Sequence, residues 1–378
     1  MTEPKFKHYS RTLKEINPST STRPISNSRL RYRTQQRLEN NDTMTYYPYY
    51  TSPLLGSIYQ ITSSTTDRIN VAIISLGGGF LQSDLDNYWN LIGLVERPNV
   101  YSVSVNGATN SPGSDADVEN NLDIQTIGGI LPNSNIYVYF APNSIKGFRD
   151  AIKAAADSTT NPVKVISVSW GISETALSSN QLNTFNKVLQ QVANKGITVC
   201  VASGDNGSKD NGYSLSVDFP SASPWVLACG GTTLKSPTGV YNTQTTSETG
   251  WKGSGGGYSA YFAKPNYQKS VPNLSGITKR AVPDVSANAN PNTGCIIAYN
   301  NKFYVVGGTS LSAPIWAAYL AGQRFTNFMT PLIYRYGLSG LHDIITGTNG
   351  AYKCKIGWDA VTGLGTPSGY VLTRALSR

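Results

Sequence analysis

Four short apolar runs, each closed by a glycine turn or followed by a helix, restrict this chain to few architectures. Asn70-Val71-Ala72-Ile73-Ile74-Ser75-Leu76 ends in Gly77-Gly78-Gly79. Asn135 to Phe140 is followed by a helical segment, Phe148 to Ala156. Val163 to Trp170 precedes a helix over Gln181 to Lys195, and Ile197 to Ala202 ends in Ser203-Gly204-Asp205. Apolar runs of this length without polar alternation read as strands buried on both faces. Such strands alternating with helices predict an α/β fold, a mostly parallel central sheet with helices on both faces. In that architecture chemistry collects beyond the carboxyl ends of the strands.

A fifth run, Phe303 to Val306, leads into Gly307-Gly308-Thr309-Ser310-Leu311-Ser312-Ala313-Pro314 and an alanine-rich apolar helix. The ordinary account of Ser310 is a helix cap. The other account is a nucleophile, because the free N–H groups of a helix start suit a developing oxyanion.

The choice depends on what could serve as a base. The chain of 378 residues holds two histidines, His8 near the N-terminus and His342 in a late turn, so the base for Ser310 is expected to be something else. Asp117 to Ile127 reads as a helix on which Glu119 and Asp123, spaced i,i+4, share one side. A solvated face explains them most simply; a coupled acid pair explains them as base and partner. Glutamate, with an ordinary pKa near about 4.3, remains a competent base in acid, where histidine is protonated. Asp205, in a small-residue turn, is either a surface turn residue or a protonated acid that donates to an oxyanion.

The remaining composition sets boundaries. Net charge is +9, much of it before residue 40, and residues 1–44 carry no periodic apolar pattern, so they read as a flexible basic extension. Nucleic acid would be reached only through that tail. No run has the length of a membrane helix, and the first residues lack the apolar core of a secretory signal. The location stays open, with an acidic compartment, a viral or an extracellular setting all compatible. Cys200, Cys229, Cys295 and Cys354 form no zinc signature, and their pairing is open. The loop Trp251 to Tyr258 lacks the strand–helix context of a phosphate site; it reads as a place where a peptide or neighbouring backbone passes closely.

Together these motifs resemble the sedolisin family of serine-carboxyl peptidases, which have a subtilisin-like fold and act in acid. Gly308 to Pro314 matches the family's Gly-Thr-Ser-x-Ser-x-Pro motif, Glu119 and Asp123 its Glu-x-x-x-Asp helix, and Ser203 to Gly207 its Ser-Gly-Asp-x-Gly turn. The resemblance implies a peptidase domain over residues 45–378 with Ser310 as nucleophile, Glu119 as base, Asp123 as its partner and Asp205 at the oxyanion. It implies a substrate cleft at Ser169, Trp170, Gly171, Glu174, Gly255 and Gly256, with Glu174 as an acidic subsite. It also implies one calcium ion held by Asp343 and Asp359 and by carbonyls of Ile344, Lys355 and Gly357, although Lys355 replaces a frequent glycine. Ser75 stands where many relatives carry a glutamate, which implies a shorter acid network. The expected partner is a peptide and the expected state a monomer; endopeptidase and tripeptidyl-peptidase share these motifs. The competing expectation is a non-catalytic peptide-binding or structural protein on the same fold.

Overall fold

The computed structural model describes residues 3–16, 49–63, 67–236, 238–244 and 246–377. Its strands, in chain order, begin with β1 (Lys7–His8), β2 (Arg11–Ile16), β3 (Ile69–Ser75), β4 (Asn99–Ser104) and β5 (Ser134–Phe140). β6 (Val165–Val168), β7 (Trp170–Ser173), β8 (Thr198–Ala202), β9 (Asp218–Phe219) and β10 (Leu227–Lys235) follow. Then come β11 (Ser247–Gly250), β12 (Gly257–Ala263), β13 (Lys279–Val282), β14 (Val285–Asn288), β15 (Cys295–Tyr299) and β16 (Lys302–Gly307).

The main sheet runs β11-β10-β8-β6-β3-β5-β4, with β14 also pairing with β10. Every pairing in it is parallel except β10 with β11. Residues alternate between two cores: Ile73, Val138 and Cys200 face one, while Ile74, Tyr139 and Val201 face the other. Burial on both faces is why the sequence runs are continuously apolar. Helix α1 (Ser52–Ile58), α2 (Gln82–Leu91) and α3 (Ala116–Ile130) lie on the first side; α4 (Ile145–Asp157) and α5 (Ser179–Asn194) cover the second. The long β10 is shared along its length, pairing with β8, then β14, then β11.

Helix α6 (Thr309–Gly322) is buried at every residue, and Trp316 Nε1 donates to Ser286 O at 2.9 Å. It packs against α3 and beneath β6, β8, β10 and β14. A helix that is apolar all round belongs inside the molecule, so its alanines and leucines fix Ser310 at depth. The strands β5 and β6, consecutive in the chain, lie on opposite sides of β3, which opens a crevice at the strand carboxyl ends.

The N-terminal extension departs from expectation. Over its described part, residues 3–16, it is paired rather than free: β1 is antiparallel to β7, and β2 is antiparallel to β16. Phe6 is buried with its ring edge-on to Phe148 at 4.9 Å, and Asn143 brackets the Phe6 backbone with two hydrogen bonds. Composition misled because two buried aromatics and a run of main-chain hydrogen bonds anchor an otherwise polar segment. Residues 17–48 lie outside the described residues.

Candidate active site

Gly307 and Gly308 let β16 turn into α6. Gly308 has φ +112°, where a side chain is strained, and its N–H donates to Ala289 O at 2.6 Å. Gly308 is therefore the cap residue, and Ser310 lies in the first turn of α6 with its side chain free for another bond. That bond goes to Glu119, with Ser310 Oγ donating to Oε2 at 2.8 Å; Ser169 O is 3.5 Å away.

Glu119 reaches the serine because α3 is buried along nearly its whole length. Asp117 fixes its start: one carboxylate oxygen accepts from Gly79 N at 2.8 Å, the other from Gly113 N at 2.6 Å. Glu119 and Asp123 are both buried, which excludes the solvated-face account. Burial, then the Asp123 carboxylate, pushes the Glu119 pKa well above the usual range. Burial pushes Asp123 up to about 8, opposed by Ser169 Oγ, which donates to it at 2.7 Å. Glu119 Oε1 has no partner among the described residues. Two buried carboxyls this close, with no cation paired to either among the described residues, are best satisfied by retaining a proton between them. Ser75 takes no part: it is buried and donates back to Gly77 O at 2.8 Å.

Asp205 follows β8. Its Oδ1 accepts from Thr309 N at 2.8 Å and Thr309 Oγ1 at 2.9 Å, tying the turn to the start of α6. Burial raises it to about 6, against those bonds and the nearby Arg11 guanidinium. Arg11 Nε sits 3.1 Å from Asp205 Oδ2.

The expected cleft residues divide. Ser169, Trp170 and Gly171 lie against the N-terminal segment: β7 pairs with β1, and Ser169 O accepts from Tyr9 N at 3.2 Å. Glu174 does not serve there: its carboxylate accepts from Ser259 Oγ at 2.6 Å and Ala260 N at 2.5 Å, anchoring β12 from a buried position. The expectation of Glu174 as an open acidic subsite is therefore corrected; the carboxylates that meet the N-terminal segment are Asp210, on Lys7, and Asp218, on Tyr9. Gly255 and Gly256 approach neighbouring backbone, because a side chain would strike Ser203 O or Ala360 O, each at 2.1 Å. Asp218, missed in the sequence, accepts a hydrogen bond from the Tyr9 hydroxyl, and its pKa is raised well above normal by burial and by Asp210. An aspartate between Val217 and Phe219, both buried, is the only hint of it in the sequence. His8, expected to be remote, has Nδ1 3.7 Å from Glu119 Oε2, and burial lowers its pKa.

The four cysteines are buried free thiols. Among the described residues no cluster of three or more His, Cys, Asp or Glu forms a metal-holding group, and no helix is long and apolar enough to cross a membrane.

A parallel sheet over a buried helix, with a serine at that helix's start, is the subtilisin-like arrangement, and comparison with known proteins agrees. The sequence profile of the subtilase family matches residues 100–332. Kumamolisin of Bacillus sp. (strain MN-32) is 37% identical, over 94% of this chain and 69% of that protein. Tripeptidyl-peptidase 1 of Homo sapiens is 30% identical, over 69% of this chain and 52% of that protein. The solved structure of Pseudomonas sedolisin, a serine-carboxyl proteinase complexed with two molecules of pseudo-iodotyrostatin, superposes with a TM-score of 0.76 at 28% identity. It covers 87% of this chain and 98% of that one. The chain belongs to the sedolisin family of serine peptidases, within the subtilases.

Proposed function

We propose that this chain is an acid-active serine-carboxyl peptidase that cleaves peptide bonds through an acyl-enzyme on Ser310. The observation that carries this reading is the 2.8 Å hydrogen bond from Ser310 Oγ to a fully buried glutamate. Glu119 takes the hydroxyl proton as Ser310 attacks the carbonyl carbon, and Asp123 acts as a positioning residue by sharing the proton of the pair. The oxyanion is met by the Ser310 N–H and by a protonated Asp205. Glu119 then returns the proton to the departing amine, and water hydrolyses the ester in the reverse sense. The peptide's main chain pairs with Ser169 to Gly171.

Calcium is proposed at the C-terminal loops. Asp343 Oδ2 accepts from Gly357 N at 2.7 Å and Asp359 Oδ2 from Lys355 N at 3.2 Å, so both carboxylates converge on one loop. None of the carbonyls of Ile344, Lys355 and Gly357 accepts a hydrogen bond from another described residue. Two carboxylates with three free carbonyls suit a hard cation. Its contribution would be structural, fastening the loop whose Ala360 O accepts from Asn349 Nδ2, which also bonds Ser254 O.

The test is digestion of a peptide library between pH 3 and 8, with cleavage sites read by mass spectrometry. Activity in acid that disappears in Ser310→Ala, with an unchanged circular dichroism spectrum, is expected. Full turnover in that variant would refute the assignment.

A further inference from the structure

Three loops meet beside the turn that carries Asp205. A Cβ built on Gly207 would lie 2.4 Å from Asn349 O and 2.9 Å from Lys252 O, and φ there is +65°, so only a glycine lets the three backbones touch. Hydrogen bonds close the junction: Gly207 N donates to Gly253 O at 2.9 Å, Ser208 N to Asn349 O at 3.0 Å and Ala351 N to Ser208 Oγ at 3.1 Å. Asn349 Nδ2 fastens the third loop to Ser254 O at 3.1 Å. The second loop is tied back to the Asp205 turn by Gly255 N, which donates to Gly204 O at 2.8 Å. The junction therefore forms a rim of the site on the Asp205 side.

Each loop places an exposed lysine close to this junction: Lys209 on the first, Lys252 on the second and Lys353 on the third. None of the three forms an ion pair among the described residues. The acids nearby are engaged elsewhere. Asp210 is buried, with Lys7 Nζ 3.0 Å away. Asp343 accepts from Gly357 N at 2.7 Å, and Asp359 from Val361 N and Thr362 N, each at 2.9 Å. The other charged groups adjoining the rim are Asp205 with its Arg11, and Lys355. Tyr213, 89% exposed, and Leu215 follow Lys209 on the first loop and add apolar area.

Three like charges on loops whose backbones touch raise the local positive potential, and no exposed acid among them cancels it. Acidic side chains of a peptide held in the neighbouring site would. We propose that Lys209, Lys252 and Lys353 form a substrate exosite that selects peptides and unfolded proteins carrying clustered Asp or Glu side chains beside the cleaved stretch. The inference rests on the peptidase reading above and names its substrate class. The lysines do not touch the reacting atoms; they act on capture, through KM and the association rate. Substrate carboxylates have ordinary pKa values near about 4, so the preference belongs to the upper part of an acid working range and fades where those groups are protonated.

The experiment uses the full chain and quenched fluorescent peptides that share one cleaved sequence, extended on either side by three Asp or by three Asn. At pH 5 and low salt, kcat/KM is expected to be roughly tenfold higher for the Asp peptide on at least one side, with the difference in KM. That ratio should fall toward 1 in the triple variant Lys209→Ala, Lys252→Ala, Lys353→Ala, and likewise at pH 3 or in about 0.5 M salt. It should persist in Lys146→Ala, Lys153→Ala, Lys187→Ala, which removes the same charge from helices α4 and α5 on the other side of the sheet. Equal rates on Asp and Asn peptides overturn the inference and leave the peptidase reading standing. So does a preference that survives in the rim variant, or one that the α4 and α5 variant loses equally. Failure to cut any of the peptides between pH 3 and 8 overturns the peptidase reading itself.

Discussion

Asp205 gives the sharpest test of the proposed chemistry, because two substitutions at it predict opposite results. Its Oδ1 accepts two hydrogen bonds from Thr309, so an asparagine can keep that oxygen in place and present its amide where Oδ2 stands. Burial places the aspartate at about 6 with Arg11 alongside, and losing Arg11 moves it further up. With a pKa near 6, about one molecule in ten keeps the proton at pH 7 and about one in a hundred at pH 8. The wild-type kcat/KM on a quenched fluorescent peptide therefore falls about tenfold per pH unit above this titration. In Asp205→Asn the donor persists at every pH, so that alkaline limb disappears and the pH 8 to pH 5 activity ratio rises at least about tenfold. In Asp205→Ala the oxyanion loses a donor, worth roughly 10²- to 10³-fold in kcat. An asparagine variant with the wild-type limb, or an alanine variant within about threefold of wild type, would refute the role.

The raised acids also predict a stability profile. A carboxyl whose folded pKa lies above its unfolded one stabilises the fold fully below the unfolded value, and that contribution is lost as pH rises through the folded value. For Asp205 the window runs from about 4 to about 6 and is worth on the order of 3 kcal/mol; Asp123 extends the loss to about 8. Urea midpoints of Ser310→Ala should accordingly fall from pH 4 to pH 8, and a midpoint that rises instead would contradict the burial argument. Gly308→Ala adds a Cβ at φ +112° that would lie 2.7 Å from Asp205 Oδ2, so kcat/KM should drop more than about 100-fold, with strain of about 1–3 kcal/mol seen in the melting temperature. Near-normal activity in that variant would remove Asp205 Oδ2 from the oxyanion. Chelation should lower the melting temperature, with calcium at about 100 times its Kd restoring about 2.7 kcal/mol. The response should vanish in Asp359→Asn, and a melting temperature indifferent to chelator in the unaltered protein would remove the ion.

The buried strands, the helix that carries Ser310 and the helix on which Glu119 and Asp123 share a side were legible in the chain alone. Each sits in a contiguous segment whose period or turn chemistry is local: a run of β-branched residues, a Gly-Gly turn, an i,i+4 pair. Local order of this kind is written in neighbouring residues, so no knowledge of distant contacts is needed. Tertiary structure decided the rest. Glu119 could have been solvated; only the packing of α3 against α6 buries it and brings it to the serine. Glu174 was assigned to the cleft, yet the β12 turn captures its carboxylate. Asp218 and Asp210 became visible only when β9 was set beside β7. The N-terminal segment was the largest surprise. Backbone hydrogen bonds that join Lys7 to Gly171 and Arg11 to Gly307 use groups every residue has, so the composition of the tail carries no trace of where it pairs. Ser310 was legible as a serine at the start of a buried helix, but its bond to Glu119 and the N-terminal strands set on β7 and β16 depended on segments far apart in sequence meeting in space.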